Sequence, residues 1–192
     1  GKPILWHIMK SYSYHGINEF IICCGYKGSV IKKYFVNYCL NESDVVFDMK
    51  SSKIKVHQSS VEPWKITLVD TGEATMTGGR LKRVKEFIGN ATFCFTYGDG
   101  VSNVDIAQLI EFHRNQRALA TVTAVQPPGR FGAFSLEKRK MKISSFMEKP
   151  QGDGAWINGG YFVLEPEAID YIEDDTTVWE QEPLQKLARD EM

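Results

Sequence analysis

The chain has 192 residues, 43% hydrophobic and 24% charged, which is enough for one globular domain with a core of its own. Its 23 Lys and Arg nearly cancel its 24 Asp and Glu, so no global field favours nucleic acid or an anionic membrane. No apolar run approaches a membrane span and the start does not read as a signal peptide; Cys23, Cys24, Cys39 and Cys94 lack zinc-site spacing and read as small reduced hydrophobes of a cytoplasmic protein.

Residues 3–14 predict a helix: Ile4, Leu5, Ile8, Met9 and Tyr12 recur at helical spacing, with Pro3 at the start and Gly16 past the end. Residues 20–24 form a short apolar run expected of a strand covered on both faces. A turn at Gly25 to Gly28 leads to a second amphipathic helix carrying Val30, Ile31, Tyr34 and Phe35 on one side. Short strands are expected at 44–49, 54–58 and 65–70.

The strand–turn–helix rhythm returns with a strand at 92–96, a helix at 106–115 and a strand at 120–126. Residues 131–136, 142–147 and 161–164 read as further strands, antiparallel or mixed additions that wall in a ligand cleft. His7 and His113 sit beside apolar helix positions and are expected to pack. The fold class is therefore α/β, with a Rossmann-like mixed, mainly parallel sheet flanked by helices. No repeat or linker divides it, so residues 1–192 are expected to form one domain. Gly1-Lys2-Pro3 runs straight into a helix and residues 184–192 read as helix without a stop signal, which is the pattern of a piece of a longer protein.

Four segments carry candidate chemistry. Thr96-Tyr97-Gly98-Asp99-Gly100 follows an apolar strand and presents one hard carboxylate between two glycines, suited to a divalent metal and to phosphates approaching the backbone; a plain Gly-Asp-Gly turn is the alternative. Thr77-Gly78-Gly79-Arg80-Leu81-Lys82-Arg83 opens a helix, where free amides and added positive charge attract an anion; a capped helix with a solvated basic face is equally compatible. Glu148-Lys149-Pro150 ends a strand, and Ile157-Asn158-Gly159-Gly160 puts an amide that both donates and accepts before another. Spacing alone favours an ordinary strand end for the first and a bulge or turn for the second. Gly132, in the Pro127 to Ala133 loop, offers bare backbone to a ligand.

Taken in order, these segments resemble the sugar-1-phosphate nucleotidyltransferase family, over nearly the whole chain: residues 1–9, 20–28, 61–64, 67–72, 76–84, 96–101, 127–133, 148–150, 152–155, 157–160 and 179–184 carry the likeness. The Tyr-Gly-Asp-Gly turn with Thr-Gly-Gly-Arg-Leu-Lys-Arg upstream points to the cytidylyl branch. The resemblance implies a glycosyltransferase-A-like nucleotidyltransferase fold, CTP and glucose 1-phosphate as substrates, Mg²⁺ as cofactor, and a homo-oligomer. It also implies a context in deoxysugar and O-antigen biosynthesis.

Carried over residue by residue, the resemblance gives Asp99 the metal and Lys149 the sugar phosphate. Glu148 and Asn158, with Gly159 beside it, would hold sugar hydroxyls. Gly79 would meet the cytosine ring through its backbone, Arg80 would lie near the phosphates, and Gly132 would border the ligand. Family members open with a Gly-Gly-x-Gly-Thr-Arg loop, a Lys-Pro-Lys-Pro segment and a first strand, all ahead of the point matched by Gly1, and carry a second metal-binding Asp past the point matched by Met192. The polypeptide as it stands is therefore expected to lack full activity. A sibling that uses UTP or dTTP, and a non-catalytic nucleotide-sugar-binding module, are the alternatives.

Overall fold

The computed structural model describes residues 1–127, 133–137, 142–147 and 156–192. Helix α1 (Ile4–Tyr14) starts behind Pro3, whose missing N–H costs nothing there, and ends before Gly16, whose φ of +84° turns the chain. Its buried stripe is Ile8, Met9 and Tyr12. His7, expected to pack, is exposed: it is one position off the stripe and lies edge-on to Trp6.

Strand β1 (Glu19–Cys24) pairs in parallel with β4 (Lys65–Asp70), Ile22 opposite Leu68. Helix α2 (Gly28–Asn41) and an antiparallel hairpin, β2 (Ser43–Asp48) and β3 (Lys53–Ser59), connect them. Short helices α3 (Thr77–Arg83) and α4 (Lys85–Ile88) follow. Next come β5 (Phe93–Thr96), α5 (Ile106–Gln116) and β6 (Ala120–Val125). Asp105 caps α5 by accepting the Gln108 N–H at 3.0 Å. Strands β7 (Ala133–Glu137) and β8 (Lys142–Met147) form a separate antiparallel ladder, and β9 (Ile157–Leu164) and α6 (Glu182–Arg189) complete the chain.

The α/β class holds, but the expected mainly parallel pairing does not. Among the described strand pairs only β1–β4 is parallel. Strands β5 and β6 run the same way, as a strand–helix–strand unit requires, yet β9 inserts between them antiparallel to both. Being central, β9 is buried on both faces, which is why Tyr161 to Leu164 reads as an unbroken apolar run. Phe162 and Leu164 pack with Leu81, Val84, Ile169, Trp179 and Leu187, whereas Tyr161 packs with Ile8, Tyr12 and Ile106. Strand β9 begins four residues earlier than its apolar run, because Ile157 and Asn158 pair with Val125 and Ala124 past a bulge between Val122 and Ala124.

Strands β1 and β5 each keep one edge unpaired by any described strand, and both line a cavity of about 1080 Å³. Ile8 and Tyr12 of α1, Leu81 of α3 and Val84 between α3 and α4 complete its apolar walls, and its lining reaches the surface at Gly98 and Asp99. Buried His113 is bonded at both ring nitrogens, 2.8 Å from Thr121 Oγ1 and 3.1 Å from Glu165 Oε1. All four cysteines are free. Burial pushes the Cys23 and Cys94 thiols up to about 11, so both stay protonated at neutral pH. Cys39, expected among the core hydrophobes, is exposed on α2.

Candidate functional site

The site is built where β5 ends beside the start of β9. The antiparallel register sets Thr96 opposite Tyr161, and Thr96 Oγ1 donates to the Gly160 carbonyl at 2.7 Å. The Tyr161 hydroxyl donates to the Gly100 carbonyl at 3.3 Å, so the turn after β5 is tied to β9 at both ends. Within that turn, a Cβ on Gly98 or Gly100 would meet nothing within 4 Å, and neither residue has a positive φ. Neither crowding nor backbone strain calls for glycine here; the bare backbone leaves space for a group arriving from outside.

Asp99 stands exposed between these glycines. No cluster of three metal-ligating side chains occurs among the described residues, so a cation here would complete its shell with ligand oxygens and water. One hard carboxylate suits Mg²⁺ on those terms, since that ion commonly takes one or two carboxylates and leaves its remaining positions to phosphates and water.

Asn158 is bonded to Tyr97, two residues before Asp99 in the same turn. Its Nδ2 donates to the Tyr97 hydroxyl at 3.1 Å, and its Oδ1 accepts the Gly160 N–H at 2.7 Å. Gly160 sits at φ +78° with the Tyr97 ring filling the place of a side chain, so glycine is required there on two counts. The ring is held edge-on by Phe95 and Phe162, with centroids 5.8 and 6.1 Å away. Burial pushes the Tyr97 phenol well above its usual range, and the Glu180 carboxylate against its hydroxyl pushes the same way. The phenol is therefore neutral at any physiological pH.

Two expected ligand contacts have an internal explanation instead. A Cβ on Gly159 would strike the Thr123 carbonyl and Val125 of β6, so glycine there serves the bulged pairing, as spacing alone had favoured. A Cβ on Gly79 would strike the Asp175 backbone, and the Gly78 and Gly79 N–H groups both donate to the Thr177 carbonyl, at 3.0 and 3.3 Å. The start of α3 is thus closed by the chain itself and is not an open anion site. Arg80 is turned away from it: its guanidinium donates to Thr71 Oγ1 at 2.8 Å and to the Glu73 carbonyl at 3.1 Å, packed over Gly25 where a Cβ would collide with it. It nonetheless lines the same cavity as Tyr97 and Asp99.

Arg80 and Asp99 therefore line one cavity and Asn158 is joined to it through Tyr97, whereas the space beside Gly79 and Gly159 is filled by neighbouring backbone. Gly132, Glu148 and Lys149, together with the 152–155 segment, lie outside the described residues. Sequence reasoning did not assign Tyr97, Thr77 or Glu180. Thr77 Oγ1 donates to Glu180 Oε2 at 2.7 Å and accepts the Trp179 N–H at 2.9 Å. All three lie inside segments singled out for resemblance, but nothing in their spacing shows contacts made about 100 positions apart.

The chain resembles known proteins over nearly its whole length. A family model described as nucleotidyl transferase matches residues 1–188. A glucose-1-phosphate cytidylyltransferase of Salmonella typhimurium is 60% identical over 190 residues, covering 98% of this chain and 73% of that protein. A probable glucose-1-phosphate cytidylyltransferase of Bacillus subtilis is 44% identical over 191 residues, covering 99% and 74%. Among solved structures, HddC from Yersinia pseudotuberculosis superposes with a TM-score of 0.66 at 22% identity, over 97% of this chain and 73% of that one, a likeness of fold alone.

Proposed function

Since the chain belongs to the nucleotidyl transferase family, we propose that it transfers a cytidylyl group from CTP to glucose 1-phosphate, releasing pyrophosphate and forming CDP-glucose. The observation that carries this reading is the 60% identity, over 98% of the chain, to a protein with that name. In the reaction a phosphate oxygen of the sugar phosphate attacks the α-phosphorus of the nucleotide. One P–O bond forms, the α–β bridging P–O bond breaks, and its electron pair leaves with pyrophosphate.

Both reactants are anions, so the chemistry needs charge neutralisation and in-line placement more than a general base. In this reading a divalent cation, Mg²⁺ by the donor set, neutralises phosphate charge when bound, and Asp99 holds it. Lys149 neutralises the sugar phosphate, while Glu148 and Asn158 take sugar hydroxyls and Gly132 borders the ligand. Arg80 contributes positive charge near the phosphates, its guanidinium kept in place by Thr71 and the Glu73 carbonyl. Gly79 and Gly159 support the site through packing. Assembly as a homo-oligomer, a cytoplasmic location and supply of deoxysugar and O-antigen biosynthesis belong to the same reading. Among the described residues, no helix is long and apolar enough to cross a membrane.

The test is pyrophosphate release from CTP, UTP, dTTP and GTP in turn, with glucose 1-phosphate and Mg²⁺. The reading expects release with CTP well ahead of the others. Release led by UTP or dTTP would move the chain to a sibling activity, and tight binding of nucleotide sugar without release would make it a binding module.

A further inference from the structure

Asn158 stands exposed at the start of β9, with a hydrogen-bond partner on each side of its amide. On one side is the Tyr97 hydroxyl, which accepts from it through a lone pair. That lone pair requires the nitrogen end of the Asn158 amide at 3.1 Å, and the Gly160 N–H independently requires the oxygen end at 2.7 Å. An asparagine side chain commonly has two nearly equivalent orientations; here an acceptor on one side and a donor on the other select one.

We propose that Tyr97 is a positioning residue for sugar recognition: its hydroxyl holds the Asn158 amide in a single orientation before substrate arrives. This rests on the reading above that Asn158 takes a sugar hydroxyl. With one of two lone pairs used by Gly160 and one of two N–H groups used by Tyr97, Asn158 keeps one acceptor and one donor. A sugar hydroxyl, which both donates and accepts, matches that remainder. The ring of Tyr97 takes no part in this and is retained in Tyr97→Phe, where it still fills the space beside Gly160.

The experiment is a steady-state cycle of Tyr97→Phe, Asn158→Ala and the double variant with glucose 1-phosphate and each of its monodeoxy analogues. For Tyr97→Phe the KM for glucose 1-phosphate rises about fivefold to tenfold, the worth of one hydrogen bond, while kcat and the KM for CTP stay within about twofold. The parent protein rejects the analogue lacking the hydroxyl that Asn158 holds, and Tyr97→Phe narrows that rejection. Adding Tyr97→Phe to Asn158→Ala then changes nothing further.

An unchanged sugar KM in folded Tyr97→Phe, beside a raised one in Asn158→Ala, overturns the positioning role and leaves the sugar role of Asn158 standing. Fully additive effects overturn it too, since Tyr97 would then act without Asn158. An unchanged sugar KM in Asn158→Ala overturns the reading itself, and the positioning role with it.

Discussion

Two glycine-rich turns, alike on paper, serve opposite purposes in this molecule. At the start of α3, Gly78 and Gly79 have no side chain because the 174–177 loop occupies the place: Thr177 takes their N–H groups and Asp175 lies where a Cβ would point. After β5, a Cβ on Gly98 or Gly100 would meet none of the described residues, and Asp99 between them is exposed. The first pair is consumed in closing the fold, and the second leaves the fold open at a single carboxylate. Glycine next to a charged residue is therefore no signature of ligand contact until its empty side is known to face solvent.

That contrast can be broken by substitution. The largest effect is expected at the open turn: Asp99→Asn should lower turnover by about 10²–10³-fold with an unchanged urea midpoint, because only a transition-state charge interaction is lost. Near-normal turnover would remove Asp99 from the chemistry. Gly79→Ala is next and of the other kind. Its methyl group overlaps the Asp175 backbone, so unfolding free energy should fall by about 1–3 kcal/mol, read from denaturant titration.

Gly98→Ala sharpens the same comparison. Stability should stay within about 0.5 kcal/mol, since the new Cβ has open space. The KM for CTP should rise severalfold if phosphates do approach the turn, and an unaltered KM would say that they do not.

The smallest effect concerns acid. Asp175 accepts from Arg83 at 2.5 Å and Asp174 from Thr176 at 2.7 Å, and these bonds hold both carboxyls below their usual range. A depressed folded value means the contribution is whole above the unfolded value, near 4, and fades as pH falls through the folded one. Asp175→Asn should therefore lower the neutral-pH melting temperature slightly and flatten the loss of stability below about pH 4; the Arg83–Asp175 pair is about half exposed, so both changes are modest.

Much of the fold is legible from local pattern. The stripe of α1, the β1 run and the helix from Ile106 follow from spacing within a few residues. The alternation of strand and helix gives the α/β class. What spacing does not give is the partner of each strand. β9 carries an amide and two glycines at its start, so its strand character comes from Val125 and Ala124 of β6, more than 30 positions earlier.

The site divides along the same line. Asp99 is singled out because an apolar strand ends there in a bare turn with one hard carboxylate, a pattern that a plain Gly-Asp-Gly turn shares. Asn158 is visible as a donor–acceptor beside glycine, but what orients it is not, since Tyr97 is 61 positions away. Gly79 and Gly159 looked like ligand neighbours because sequence shows that a side chain is missing and not what fills its place.

The facing edges of β1 and β5 have a consequence for motion. Among the described residues each of these strands is bonded on one side only, which shields about half of its amides, and both border the cavity. Deuterium should enter the outer amides of β1 and β5 early, while β9, laced to β5 on one flank and β6 on the other, gives up its protons last. Asp99 lies shortly past the end of β5, so exchange at the outer amides of Phe93 to Thr96 reads how firmly the open turn is anchored.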